Sequence, residues 1–486
     1  MKKTKIVATI GPASENIDIM REMIKAGMNV ARLNFSHGDY AEQGARFSTV
    51  RQLSKELNRP IAILLDTKGP EIRTGKFKDG VITIDGDNKK VILKEGQSFT
   101  FYSEDKLGDL TGCSVSFKDL HKAVKVGSNI KANDGLVSFT VTAINGTNVE
   151  CKVDNDGYIG NNKNMNLPGI ATSIPFLSEK DKEDIHFGME QGMDYIAASF
   201  TRTAADIQII RDIFKAGGKE HIKIIAKIEN HEGLDNLPAI IEAADGVMVA
   251  RGDLGVEIPQ EDVPVAQRRM IKECLSAGKI VIVATQMLQT MESNPRPTRA
   301  EVSDVANAVW LGATATMLSG ESAQGKYPVE SVKTMSEIAE RAEKSINYWE
   351  EFFRGIKIKE PLLQSSAVGR AACDLAASLN AKAILVLTYS GYTAREVARF
   401  RPACPIIAET PKEEVKNQLA LYWGVEAFVG IKQDDVKASI NNAIELAVKN
   451  GYIALGDLII ITSGFPAGKT NHTNLIKVHK VGDEVL

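Results

Sequence analysis

The stretch IKIIAKIENHEGLDNLPAIIEAADGVMVARGDLGVE, residues 222–257, decides the fold. Two apolar runs of strand length flank roughly fifteen residues with helical periodicity. Each run stops abruptly in polar residues. Lys227 and Glu229 close the first, and Asp253 follows the second. Strands that are apolar on both faces and joined by a helix build parallel sheets. A lysine and two carboxylates at neighbouring strand ends are well suited to holding a divalent cation beside a phosphate or carboxylate.

The same unit repeats outward in both directions. On the N-terminal side lie KIVATI from Lys5, NVARLNF from Asn29, IAILLD from Ile61 and DYIAASF from Asp194. On the other side lie KIVIVAT from Lys279 and ATATML from Ala313. With the two central runs these make eight strands, most of them separated by helix-period segments closed by glycine. Eight β/α units over roughly 250 residues predict an α/β fold of the (β/α)8 TIM-barrel type. An open doubly wound sheet is the competing arrangement. Polar residues after nearly every strand favour the barrel, whose mouth is one shared site.

Between the third and fourth strands the pattern changes. Residues 71–167 carry short Val/Ile/Thr-rich runs with tight turns, such as VITIDGDNKKVIL and SNIKANDGLVSFTVTAINGTNVECKV. They predict a small inserted β-barrel domain. Lys68-Gly69-Pro70 and Leu167-Pro168-Gly169 bound it, and such junctions suit a hinged cap over the barrel mouth, with a rigid decorative insert as the alternative. The catalytic barrel is then residues 1–70 and 168–345. From residue 346, helix and strand alternate again through AKAILVLT, PIIAE, VEAFVGI and DLIIIT, predicting a C-terminal α/β domain, residues 346–486.

Bulk composition narrows the function classes. At 486 residues the chain exceeds what a single core serves. A net charge of −3 gives no reason to expect nucleic acid or an anionic membrane as partner. There is no apolar run of about eighteen residues, so no spanning segment is expected. The first apolar run ends at Gly11-Pro12, too soon for a signal peptide. Five scattered cysteines without a CxxC pair point to a reducing, cytoplasmic setting.

The remaining strand ends add chemistry. Arg32, Asn34 and Ser36 alternate onto one side of the second strand. The arginine fits a phosphoryl group, and the neutral oxygens of Asn34 and Ser36 fit a monovalent cation. Asp66, followed by Thr67, adds a carboxylate to that set. Gly252-Asp253 offers backbone N–H groups to an anion. Thr285 and Ser319 place hydroxyls after strands seven and eight, where each could bind a carboxylate, pass a proton or simply cap local backbone. Gly464 to Thr470 approximates a P-loop but has one residue too few between its glycines, and a strand follows it. Thr388, Tyr389, Ser390, Gly391, Tyr392 and Thr393 join a strand to a helix expected near Ala394. They form a candidate phosphate pocket or an ordinary helix cap.

Taken together, NVARLNFSHG, DTKGPEIRTG, NLPG, AKIEN, ARGDLGVE, VATQML and MLSGESAQGKYP, in this order, resemble the pyruvate kinase family over essentially the whole chain. The resemblance implies glycolytic phosphoryl transfer from phosphoenolpyruvate to ADP, giving ATP and pyruvate. It implies Mg²⁺ (or Mn²⁺) on Glu229 and Asp253, and K⁺ on Asn34, Ser36, Asp66 and Thr67. Glu71 fits the K⁺-dependent members. Lys227 and Arg32 would neutralise the phosphoryl group. Gly252, Asp253 and Thr285 would hold the substrate carboxylate, with Thr285 and Ser319 near the proton path. Asn34, His37, Arg73 and Lys163 match nucleotide contacts. Thr388 to Thr393 match the loop where a phosphorylated sugar or nucleotide effector binds an allosteric, usually homotetrameric, enzyme. The loop Gly464 to Thr473 lacks the arginine and tryptophan of the fructose-1,6-bisphosphate-sensing pattern. The extra C-terminal phosphohistidine-type domain of some bacterial members is not expected. Two other readings of the same residues stay open: a lyase with a Schiff base on Lys227, and a non-catalytic sugar-phosphate sensor.

Overall fold

A computed structural model describes residues 2–81, 83–85, 88–355, 362–430, 435–465 and 472–485. Most of the loop between Gly464 and Thr473 lies outside the described residues. Eight parallel strands close into a barrel: Lys5–Ile10, Val30–Asn34, Ala62–Asp66, Tyr195–Ala198, Lys223–Ile228, Gly246–Ala250, Ile280–Ala284 and Ala315–Leu318. Each pairs with its sequence neighbours, and the first pairs with the eighth in the register Lys5↔Ala315 to Ala8↔Leu318. That pairing excludes the open sheet. Nearly every strand residue is buried, because one face fills the barrel and the other packs under helices.

The helices start and stop where side-chain chemistry says they should. Ser178 and Asp181 form a reciprocal capping box on helix Glu179–Gln191, and Thr298 with Glu301 does the same for Arg299–Leu311. Gly192 and Gly312 end those helices at φ of 76° and 95°, a conformation that penalises a side chain. The segment between the fifth and sixth strands is not one helix but two, His231–Asp235 and Leu237–Ala243. Pro238 sits in the first turn of the second helix, where its missing N–H costs nothing; continuing the first helix through it would clash.

The insert forms a seven-stranded sheet and a three-stranded sheet. A bridge between Thr74 and Val115 joins the two outer strands of the larger sheet. Gly75 N–H to Ser114 O (2.7 Å) and Ser116 N–H to Arg73 O (2.9 Å) extend that seam, so the sheet rolls up around Phe99, Phe101 and Phe139. The insert rests on the barrel mouth. Lys131 Nζ donates to Val256 O (2.6 Å), and Asn166 donates to Glu257 (2.8 Å). Gly69 at the entry junction is not loose: its N–H donates to Asp181 (3.2 Å), and Ser199 leaves no room for a side chain. Any swing of the cap therefore starts beyond Gly69.

The C-terminal sheet has the order Val425–Val429, Ile406–Thr410, Ala383–Leu387, Leu458–Ser463, Leu475–Lys480, with only the last strand antiparallel. It packs under the strand N-termini of the barrel, sharing one apolar cluster with the barrel interior. Tyr195 Oη to Gln418 O (2.6 Å) and Lys5 Nζ to Val425 O (2.7 Å) fasten the contact. The barrel mouth is thus left to the insert.

Candidate active site

Arg32 reaches across the mouth from the second strand. Its Nε donates to Asp66 Oδ2 (2.6 Å) and one Nη to Thr9 Oγ (2.9 Å). Asp66 is fully buried, and its other oxygen receives Lys227 Nζ at 3.1 Å. Lys227 also donates to Ser199 Oγ (2.8 Å) and lies 2.9 Å from Glu229 Oε1. All three ammonium protons are therefore spent, and the charge is fixed in place. Glu229 is held at both oxygens, the second by the Phe200 N–H at 2.6 Å. Phe200 adopts φ 53°, an unusual state for a bulky residue, and this aims its N–H at the carboxylate.

The electrostatics follow from burial and neighbours. Burial alone would raise Asp66, but Arg32 and Lys227 outweigh it and hold the carboxyl below its ordinary value. Burial alone would lower Lys227, yet Asp66 and Glu229 more than offset it, and the ammonium is raised above its ordinary value. Glu229 goes the other way. Burial first, then the charge of Asp253, pushes it up to about 7. Asp253 is raised too, chiefly by burial, and it neighbours Glu229. Glu229 is buried and Asp253 half-buried, and such a pair of neighbouring carboxylates with a shortfall of positive charge could hold a divalent cation. Among the described residues no group of three or more His, Cys, Asp or Glu side chains gathers that could hold a metal, so an ion here would rest on two protein carboxylates.

Gly252 N–H is not free, contrary to expectation. Its helix begins at Arg251, and Thr285 Oγ caps the Gly252 N–H at 2.8 Å. Thr285 and Gln286 both have left-handed backbones, φ 66° and 54°. Ser319 Oγ is buried with no partner, while its N–H donates to Glu321 (2.7 Å). The second Glu321 oxygen accepts the Leu288 N–H (3.0 Å), tying the loops after strands seven and eight together.

Asn34 lies directly across the register from Asp66. Its Oδ1 accepts the Ser36 N–H at 3.1 Å. Thr67 turns its hydroxyl to Ala197 O (3.3 Å) and the Ser199 N–H (3.1 Å), and its carbonyl accepts the Ser199 Oγ–H at 2.6 Å, which leaves that oxygen one lone pair to offer an ion. His37 is exposed at the rim. Arg73 and Lys163 belong to the insert. Arg73 pairs with Glu71 (2.5 Å) and with Asn162 O (2.8 Å), and the backbone of Lys163 pairs with Thr74. The candidate nucleotide residues therefore stand on two bodies. A cavity of about 360 Å³ lies between those bodies, lined by Glu71, Asn166, His231, Asp253 and Glu257.

The Thr388–Thr393 loop leaves the central strand of the C-terminal sheet, at the point where the strand order reverses. Its helix starts at Tyr392, two residues before expectation, because Gly391 takes the cap position at φ 78° with no side-chain cap bond. Thr393 Oγ instead meets Thr473 Oγ at 2.9 Å, and Lys412 lies over the Tyr389 ring. Ser199, Phe200, Arg251 and Glu321 were not singled out from sequence. Ser199 and Phe200 also follow a barrel strand, so the strand-end rule covers them. The turn geometry of Phe200 leaves no trace in residue type.

A family model for "Pyruvate kinase, barrel domain" matches residues 1–332, and one for "Pyruvate kinase, alpha/beta domain" matches residues 366–479. Pyruvate kinase of Clostridium acetobutylicum is 48% identical over 482 residues, covering 99% of this chain and 100% of that protein. That of Geobacillus stearothermophilus is 47% identical, covering 99% of this chain and 81% of that protein. A solved pyruvate kinase from Cryptosporidium parvum superposes with a TM-score of 0.91 at 39% identity, over 99% of this chain and 96% of the other. The strand-end charges and the full-length likeness agree: the chain belongs to the pyruvate kinase family.

Proposed function

We propose that the chain works by charge placement at the barrel mouth, with the phosphoryl group of phosphoenolpyruvate passing to ADP between the barrel and the insert. The observation that carries this reading is the Asp66–Lys227–Glu229 chain with Asp253 beside it. Glu229 and Asp253 would hold Mg²⁺ or Mn²⁺, which commonly takes one or two carboxylates and leaves room for substrate oxygens. When bound, that ion would neutralise phosphate charge and polarise the substrate oxygens.

Lys227 and Arg32 supply fixed positive charge where the migrating phosphoryl group needs it, with little reorganisation during transfer. Thr285 and the Asp253 backbone orient the substrate carboxylate, the Gly252 N–H being held by Thr285. The unpartnered Ser319 hydroxyl is available to hand a proton, through water, to the enolate left behind. Asp66 and Asn34, paired across the register, with Ser36 and the Thr67 carbonyl, fit K⁺. His37 and Asn34 on the rim, with Arg73 and Lys163 on the insert, embrace the nucleotide. The Thr388–Thr393 loop, at the switch point of its sheet, fits a phosphorylated effector. A cytoplasmic homotetramer accords with the family resemblance. No helix among the described residues is long and apolar enough to cross a membrane.

The Schiff-base alternative fits poorly. Nucleophilic lysines need a depressed pKa, and Lys227 is raised and engaged by three acceptors. A coupled assay of pyruvate release with phosphoenolpyruvate, ADP, Mg²⁺ and K⁺ tests the reading. Turnover that needs both ions supports it, and absence of pyruvate leaves the sensor reading standing.

A further inference from the structure

We infer that Arg251 is a positioning residue that holds the Thr285 turn in its strained left-handed state. The inference rests on the role proposed above for Thr285. A β-branched residue at φ 66° does not stay there unless its surroundings impose it, and Gln286 follows at φ 54°. Arg251 supplies the constraint. Its Nε donates to Ala284 O (3.2 Å) and one Nη to Thr285 O (2.6 Å), gripping the last carbonyls of the seventh strand. The same Nη lies 2.8 Å from Met287 Sδ, on the far side of the turn. The other Nη is braced by Asp304, at 2.6 and 2.9 Å from the two carboxylate oxygens, and by Gln267 at 3.4 Å.

The guanidinium fork thus spans the turn from Ala284 to Met287, anchored to the helix that carries Asp304. A lysine there could reach one carbonyl but not grip two and a brace together. The consequence of the grip is the placement of Thr285 Oγ, which caps Gly252 N–H at 2.8 Å, one residue before the Asp253 carboxylate. Without it the hydroxyl and the strand-six turn lose their common register. The Arg251 side chain meets no reacting group itself and acts through this turn.

A double-mutant cycle on the full-length protein, with Mg²⁺, K⁺, phosphoenolpyruvate and ADP present, tests the inference. Arg251→Lys is expected to lower kcat/KM for phosphoenolpyruvate about 30- to 100-fold while leaving KM for ADP unchanged. In a Thr285→Ala background the same change is expected to cost less than about threefold. Losses that multiply in the double variant overturn the inference, because Arg251 then acts by another route. Wild-type kinetics for Arg251→Lys overturn it as well. Wild-type kinetics for Thr285→Ala instead remove Thr285 from the reaction, and the clamp falls with that assignment. Should Arg251→Lys lose its native circular dichroism, Asp304→Asn removes only the brace. It is expected to cost about three- to tenfold, again only while Thr285 is present. A loss equal in both backgrounds contradicts the clamp.

Discussion

Binding of the divalent ion should release a proton, because Glu229 has to give one up. Its carboxyl is pushed up to about 7 by burial and by Asp253. For one such group the apparent dissociation constant for Mg²⁺ rises by the factor 1 + 10^(pKa − pH), about twofold at pH 7 and about elevenfold at pH 6. Proton release per ion should be about half at pH 7 and about nine-tenths at pH 6, falling toward a tenth at pH 8. The stability of the metal-free protein carries the opposite sign. Glu229 is raised above its unfolded value, so its contribution is fully present below about 4.5 and is lost as pH rises through about 7. The metal-free protein should therefore gain thermal stability from pH 8 to pH 6 relative to Glu229→Gln. Calorimetric titration with Mg²⁺, in two buffers of different ionisation enthalpy, reads the protons directly. An affinity that is flat from pH 6 to 8, with no proton released, would refute the reasoning.

Three further outcomes are expected. Lys227→Met should lower kcat by about a thousandfold, roughly 4 kcal/mol, with phosphoenolpyruvate binding largely kept, because its charge matters most in the transition state; a binding loss in proportion to the rate contradicts that role. Glu71→Lys should reduce the K⁺ requirement by bringing an ammonium to the mouth, and it also frees Arg73 from its ion pair; an unchanged K⁺ response in steady-state assays removes Glu71 from the K⁺ dependence. A phosphorylated sugar or AMP at about one hundred times its Kd should stabilise the protein by about 2.7 kcal/mol in a thermal-shift assay. Thr388→Val with Ser390→Ala should abolish that shift, and an undiminished shift places the effector elsewhere.

The eight barrel strands were legible because burial on both faces demands continuous apolar runs, the same signal that marks Ala383–Leu387 and Leu458–Ser463 in the C-terminal sheet. The strand-end rule found Lys227, Glu229 and Asp66 for the same reason, since a charge closing an apolar strand has to be used. The limits were tertiary. Thr285 caps Gly252 from thirty-three residues away, so the Gly252 N–H looked free in a local reading. The seam between Thr74 and Val115 that rolls up the insert depends on pairing between distant segments. The left-handed turns at Phe200 and Thr285 run against residue preference, and the groups that grip them, Glu229 and Arg251, come from other elements. The helix between strands five and six was a local miss, because Pro238 was there to be read as a new start.

The account turns on two neighbouring carboxylates, Glu229 and Asp253, sharing one ion within reach of a fixed ammonium. Mn²⁺ binding, followed by electron paramagnetic resonance on the wild type, Glu229→Gln and Asp253→Asn with pyruvate formation assayed on the same samples, tests this most directly. Both variants should lose the bound-Mn²⁺ signal and turnover together. Either variant keeping wild-type Mn²⁺ affinity and wild-type turnover would contradict it.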